Sequence, residues 1–140
     1  HFAQSVRTAI SDYTKNTPNT HPIHAGGPDD WSLRTWATVL NSGGRQNSHI
    51  HPLGWISGVY YVQTPDDVCN TELNAGNLLF GTAPERFKQV NTLARHHTPE
   101  EGQLVLFPSW FWHQTMPFSA ASERISIAFD VMPTNTLRML

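Results

Sequence analysis

Apolar residues recur at three- and four-residue spacings at the start of the chain. Phe2, Val6, Ala9, Ile10 and Tyr13 mark one face of a short amphipathic helix over residues 2–15, lying on something larger. Residues 16–30 are rich in Pro, Gly, Asn and Thr, a loop composition. The period then changes. Residues 33–40 hold Trp36, Thr38 and Val39 with few helix formers and end in Asn41-Ser42-Gly43-Gly44, a turn signal. Residues 54–63 are dense in β-branched and aromatic side chains, closing with Val59, Tyr60, Tyr61 and Val62. Residues 77–80, 87–90, 103–107 and 124–131 complete a series of short strands, with Pro or Gly in nearly every gap. One helix followed by short strands and turns predicts a mainly β antiparallel sandwich or jelly roll, with the N-terminal helix packed outside. The tail after Pro133 shows no pattern.

Composition narrows the function. The 140 residues suffice for one domain, residues 1–140, with a single core. Charged residues make up 14%, against roughly 25% in ordinary soluble domains. Nine basic and eleven acidic residues leave a net charge of -2, so no electrostatic footprint for DNA or RNA is present and no nucleic-acid partner is expected. No apolar run approaches the ~18–20 residues of a membrane helix. Cys69 is the single cysteine, so nothing argues for an oxidising compartment, and a cytoplasmic location is expected. Because the chain begins at His1 without Met, it reads as a fragment of a longer protein. The pattern leaves the oligomeric state open.

Three segments carry candidate chemistry. In His49-Ile50-His51, an extended backbone would place residues i and i+2 on one face, so both imidazoles could reach one metal ion. Taken alone, the pair fits two surface histidines beside Pro52 at a turn at least as well. In residues 102–113 a strongly apolar strand passes through Pro108-Ser109 into Trp110, Phe111 and Trp112 and ends at His113. That histidine could be a core residue, or a distant ligand brought round to face the first two. Along residues 124–130, Arg124 and Ser126 share one face, with Ile125, Ile127 and Phe129 on the other. A guanidinium turned into a small barrel is a costly buried charge unless an anion meets it, whereas on an edge strand it would be ordinary surface.

Together these segments resemble the iron(II) and 2-oxoglutarate dependent oxygenases, whose signature runs His-x-acid, a distant His, then Arg-x-Ser about ten residues later. The resemblance spans residues 36–131. It is closest to the 2-oxoglutarate/iron oxygenase family with a His-x-His-Pro and Ser-Gly-Val-Tyr-Tyr pattern, present here as His49-Ile50-His51-Pro52 and Ser57-Gly58-Val59-Tyr60-Tyr61. Phe107-Pro108-Ser109-Trp110 with His113, and Arg124-Ile125-Ser126-Ile127, match it too. Prolyl hydroxylases look like more distant relatives. The resemblance implies a double-stranded β-helix. It makes His49 the first iron ligand and His113 the distal one. It assigns Arg124 and Ser126 to the far carboxylate of 2-oxoglutarate, with Tyr61 matching the tyrosine that assists there.

One position departs from the superfamily. Its usual triad is two histidines and a carboxylate, and His51 stands where the carboxylate belongs. No Asp or Glu lies between Trp31 and Thr64, and Asp66 and Asp67 come too late. Asp130 shares the parity of Arg124 but lies six residues, about 20 Å of extended chain, away from it. The metal site is therefore read as His49, His51 and His113, which leaves a net +2 on the metal where a carboxylate would leave +1. The implied activity is a dioxygenase that uses Fe(II), 2-oxoglutarate and O2 to hydroxylate a small-molecule or peptide substrate. Leu53, Trp55 and Trp110 or Trp112 are expected to wall the substrate pocket. Two alternatives stand beside it: a cupin-like three-histidine dioxygenase not using 2-oxoglutarate, and a non-catalytic metal- or ligand-binding jelly roll, for which zinc would serve as well.

His21, His24, His96 and His97 sit in Pro- or Thr-rich stretches and are expected to face solvent in loops. Trp36, Trp55, Trp110 and Trp112 are expected in the core or pocket wall, because aromatics without interleaved Lys or Arg lack the electrostatic half of a base-stacking platform. Cys69, in an apparent loop, is assigned no role.

Overall fold

The computed structural model describes residues 1–69, 74–87 and 93–134. The helix forms as its apolar stripe dictates: α1 spans Phe2–Asn16, with Val6 and Ile10 buried. Eight strands follow: β1 (Trp31–Leu40), β2 (Gln46–His49), β3 (Ile56–Gln63), β4 (Leu78–Phe80), β5 (Arg95–His97), β6 (Leu104–Pro108), β7 (His113–Thr115) and β8 (Arg124–Pro133). They make two four-stranded antiparallel sheets, ordered β1-β8-β3-β6 and β2-β7-β4-β5. This is the double-stranded β-helix expected of the chain.

The two faces of the first sheet have different jobs. On the outer face Ile56, Phe129 and Val131 meet Val6 and Ile10 of α1, and Ile23 closes the cluster. Phe2 reaches the same cluster, its ring set edge-on to Tyr60 and Phe129 at 5.9 and 6.4 Å. Gly58 is required here, because a Cβ would lie 2.2 Å from Cζ of Phe129. On the inner face Val59, Tyr61 and Phe107 join Leu78 of the second sheet in a separate, smaller core. With apolar packing outside and a short core at one end, the remaining inner face is free to carry polar groups. The alternation of β8 supplies them: Arg124, Ser126 and Asp130 are all buried.

Several expectations are corrected. Residues 87–90 are not seen as a strand: Glu85–Phe87 is a single 3-10 turn, and residues 88–90 lie outside the described part, as do those after Thr134. Cys69 ends a 3-10 turn, Asp66–Cys69, rather than sitting in open loop. His96 and His97 are on β5, and the half-buried His97 ring bonds Oε1 of Gln103 at 2.8 Å. His21 and His24 are half-buried too. The Nδ1 of His21 accepts from the Ile23 amide, which starts the 3-10 turn Pro22–His24, and Nε2 of His24 bonds the carbonyl of Thr17. Trp110 is 40% exposed rather than core. Among the described residues, no helix is long and apolar enough to cross a membrane.

Candidate active site

The second sheet brings two histidines face to face. His49 ends β2 and His113 begins β7, and the two are directly paired across the ladder, with ring centroids 4.3 Å apart. Between Gln46 and His49 the register of β2 shifts. Residues three apart in a regular strand point to opposite sides, yet Gln46 and His49 line the same cavity, so the irregularity turns His49 inward. His51 follows in the loop, its ring centroid 5.1 Å from those of both His49 and His113. One ligating atom from each of the three histidines can be chosen so that all lie within 4.8 Å of one another. The two near histidines thus come together although the strand ends at His49 and His51 belongs to the loop after it, and the distant histidine arrives beside both.

Each ring is held by its Nδ1. That of His49 is 2.7 Å from the carbonyl of Asn47, and that of His113 is 2.9 Å from the carbonyl of Phe111. The Nδ1 of His51 lies 2.7 and 2.8 Å from the two carboxylate oxygens of Asp130. Carbonyls and carboxylates only accept, so Nδ1 donates in all three, and the neutral ring keeps its lone pair on Nε2. Three neighbouring imidazoles, each with a free Nε2 lone pair, are the kind of donor set that borderline divalent metals take. Burial holds the His113 imidazole neutral, lowering its pKa from 6.5 to about 4, with the Phe111 carbonyl partly opposing the shift. Aromatic rings fix the walls: Trp36 stacks on His51 at 5.7 Å and Phe107 tilts against His113 at 4.7 Å.

A hydrogen-bonded circuit braces the position of His51. Its amide donates to the carbonyl of Ser109 at 2.9 Å. Ser57 donates its hydroxyl to Oδ1 of Asp130 at 2.7 Å, and so receives the Ser109 hydroxyl at 2.8 Å. The Asp130 carboxylate closes the circuit on His51. Sequence reasoning set Asp130 aside because of its separation along β8 from Arg124. That separation is real, but β8 crosses the whole site and delivers Asp130 to its other end. Strand parity was the signal that could have found it.

Arg124 lines the same cavity as the three histidines, with Ser126 beside it. It is 1% exposed, and no carboxylate lies within 4 Å of its guanidinium among the described residues. Its Nε has no hydrogen-bond partner. The guanidinium sits 5.1 Å over the ring of Tyr61, whose buried hydroxyl is also unpartnered. Burial lowers the Arg124 pKa, which the Tyr61 side chain partly offsets. Burial pushes the Tyr61 phenol up to about 12 against the counter-pull of Arg124. A buried cation with no carboxylate beside it, an orphaned Nε and an orphaned phenol hydroxyl are a costly arrangement that an entering anion would relieve.

A second, more open groove of about 320 Å³ meets the inner cavity at Trp36, Gln46, His49 and His51. Its other walls include Arg34, Leu53 and Met132. Of the residues expected to wall a substrate pocket, Leu53 does so. Trp55 instead turns away, its indole donating to the carbonyl of Ile23 at 2.8 Å, and Trp112 stacks on Phe87. Trp36 takes the place expected of them.

The family model described as "Putative 2OG-Fe(II) oxygenase" matches residues 34–130. The chain belongs to this oxygenase family. No curated protein matches it in sequence. Solved structures share the fold. A prolyl-4-hydroxylase of Pseudomonas putida superposes with a TM-score of 0.55 at 18% identity, covering 72% of this chain and 52% of that one. A 2OG-Fe(II) oxygenase family oxidoreductase of Burkholderia pseudomallei gives 0.57 at 14% identity, covering 76% of this chain and 47% of that one. The chain thus spans about half the length of each. Membership in the oxygenase family supports an oxidoreductase, and of the residues in its motifs His49, His51, His113, Arg124 and Ser126 line one cavity between the sheets.

Proposed function

We propose that this domain is a non-haem iron(II) dioxygenase that uses 2-oxoglutarate and O2 to hydroxylate an organic substrate, with His49, His51 and His113 as metal ligands. The observation that carries the reading is the buried Arg124, without an anion, in the cavity that His49, His51 and His113 also line. When bound, iron(II) couples decarboxylation of 2-oxoglutarate by O2 to transfer of one oxygen atom to substrate, leaving succinate and CO2. The protein's share is to hold the parts. Arg124 would grip the far carboxylate of 2-oxoglutarate bidentately, with the Ser126 and Tyr61 hydroxyls beside it. As it stands the cavity holds only about 40 Å³, room for a few waters, so a five-carbon diacid reaches Arg124 only as lining side chains turn aside.

The open groove is the place for the primary substrate, since it shares His49 and His51 with the cavity. Trp36, Leu53 and Met132 suit an apolar body, and Arg34 favours an acidic or strongly polar end. A small molecule or a peptide side chain would both fit this description.

Anaerobic titration of the iron(II)-loaded protein with 2-oxoglutarate tests the reading. A visible metal-to-ligand charge-transfer band that grows and saturates is the expected result. Iron demonstrably bound without any band would shift the function to a three-histidine dioxygenase whose substrate itself chelates the metal, or to a binding module.

A further inference from the structure

We infer that Asp130 is a positioning residue that locks His51 in the tautomer able to bind metal, and that it restores, one ring away from the metal, the negative charge that position 51 lacks as a ligand. The inference rests on the three-histidine reading of the site. It starts from a difference between the three rings. His49 and His113 are each fixed by a neutral backbone carbonyl two residues earlier in the chain. His51 alone is fixed by a side chain, and that side chain is a carboxylate with both oxygens within 2.8 Å of Nδ1.

The local chemistry permits one arrangement. Asp130 is buried at 7% exposure and also receives the Ser57 hydroxyl, so its oxygens face donors on two sides. An ionised carboxylate accepts only, which places the ring proton of His51 on Nδ1 and leaves Nε2 bare. Nothing else competes for that proton, since the His51 ring makes no other polar contact among the described residues. Carboxylate–imidazole–metal relays of this kind orient the ligand and raise its basicity. Ser57 and Ser109 have a stated job in this arrangement. They keep the carboxylate aimed at the ring, and the Ser109 carbonyl anchors the backbone of His51.

The chemical consequence concerns charge. Three neutral imidazoles leave a divalent ion at +2, and Asp130 brings the charge of the ion, its ligands and their one carboxylate partner to +1 while all three ligands stay nitrogen. A carboxylate has moved outward by one ring rather than disappeared.

Long-range 1H–15N correlation spectra of the imidazole rings test this on the full metal-free chain at about pH 8, where free imidazole is neutral. The expected wild-type result is a proton on Nδ1 of His51. In Asp130→Ala the proton should move to Nε2 or distribute between the nitrogens, while His49 and His113 keep their tautomers. Zn(II) affinity, measured by chelator competition, should fall by roughly 10–100-fold. Asp130→Asn, which keeps an acceptor but not the charge, should hold the tautomer and lose part of the affinity. A wild-type His51 with its proton on Nε2 overturns the inference without any variant, should Asp130→Ala fail to fold. An unchanged tautomer or an unchanged Zn(II) affinity in folded Asp130→Ala overturns it as well. Failure of the wild-type protein to bind Zn(II) would instead remove the metal reading, which the tautomer measurement does not depend on.

Discussion

His49 and His113 are direct partners across the β2–β7 ladder, their rings 4.3 Å apart, so the hydrogen bonds of a sheet set the spacing of two would-be ligands. A site built this way is preorganised before any metal arrives. His113→Ala should therefore remove metal binding more completely than loss of an outer partner, whose cost is roughly 10–100-fold, while leaving the fold intact. Metal content after anaerobic loading, with circular dichroism as the fold control, checks this.

His51→Asp is expected to keep metal and to rebuild the two-histidine, one-carboxylate set. It also puts a second carboxylate beside Asp130, and like charges at that distance oppose each other. His51→Asp combined with Asp130→Asn should thus bind Fe(II) more tightly than His51→Asp alone. Equal affinities for the two variants would show that the two positions are not in electrostatic contact.

Arg124→Leu should weaken 2-oxoglutarate binding by about 100-fold, the worth of one or two charge-assisted hydrogen bonds, with metal affinity nearly unchanged. Stability should hold or rise, because a buried cation with no carboxylate beside it is replaced by a side chain that needs no polar partner. Isothermal titration and a urea melt of the same variant separate the two effects. Unaltered co-substrate affinity would take Arg124 out of the site.

The metal-free protein should lose stability in mild acid through His113. Its folded pKa is depressed to about 4 from 6.5, so below 6.5 the unfolded chain takes up the proton and the folded chain does not. The contribution is fully present above pH 6.5 and is lost as the pH falls toward 4, by about 3 kcal/mol in all. Urea melts of His113→Gln across that interval should show a flatter pH dependence than wild type.

Gly58→Val should destabilise the fold by about 3 kcal/mol, the upper range for overpacking, because the added side chain meets the Phe129 ring beneath α1. Metal binding at temperatures where the variant stays folded should be unaffected, since Phe129 packs on the outer face of the first sheet.

How much of this was legible beforehand depends on the range of the interaction. The helix and the long strands carry their own periodicity, so Phe2–Asn16, β1, β3 and β8 follow from it within a few residues. The strands β2, β5 and β7 have three or four residues each, too few for a period, and β2 also has shifted register. His49, His51, His113 and Arg124 were visible through residue type and order. Asp130 was not, because its meaning comes from His51, 79 positions earlier in the chain. Trp36 is expected in the core or a wall but not as the ring covering His51, while Trp55, expected in the core or at the pocket through its place after His51, packs against the core. Aromatic residues satisfy burial equally well in several places, and sequence alone cannot choose among them.

One strand, β8, carries both the buried Arg124 and the Asp130 carboxylate that holds His51, on the same face and six positions apart. A single inserted or deleted residue between them would flip one of the two to the outer face, against α1. This stretch can accept exchanges of side chain, but not a change of length. A change of length is better borne by residues 52–55, which lie outside every strand, than by β1, where Arg34 is paired with Asp130 itself and an insertion would shift the same register.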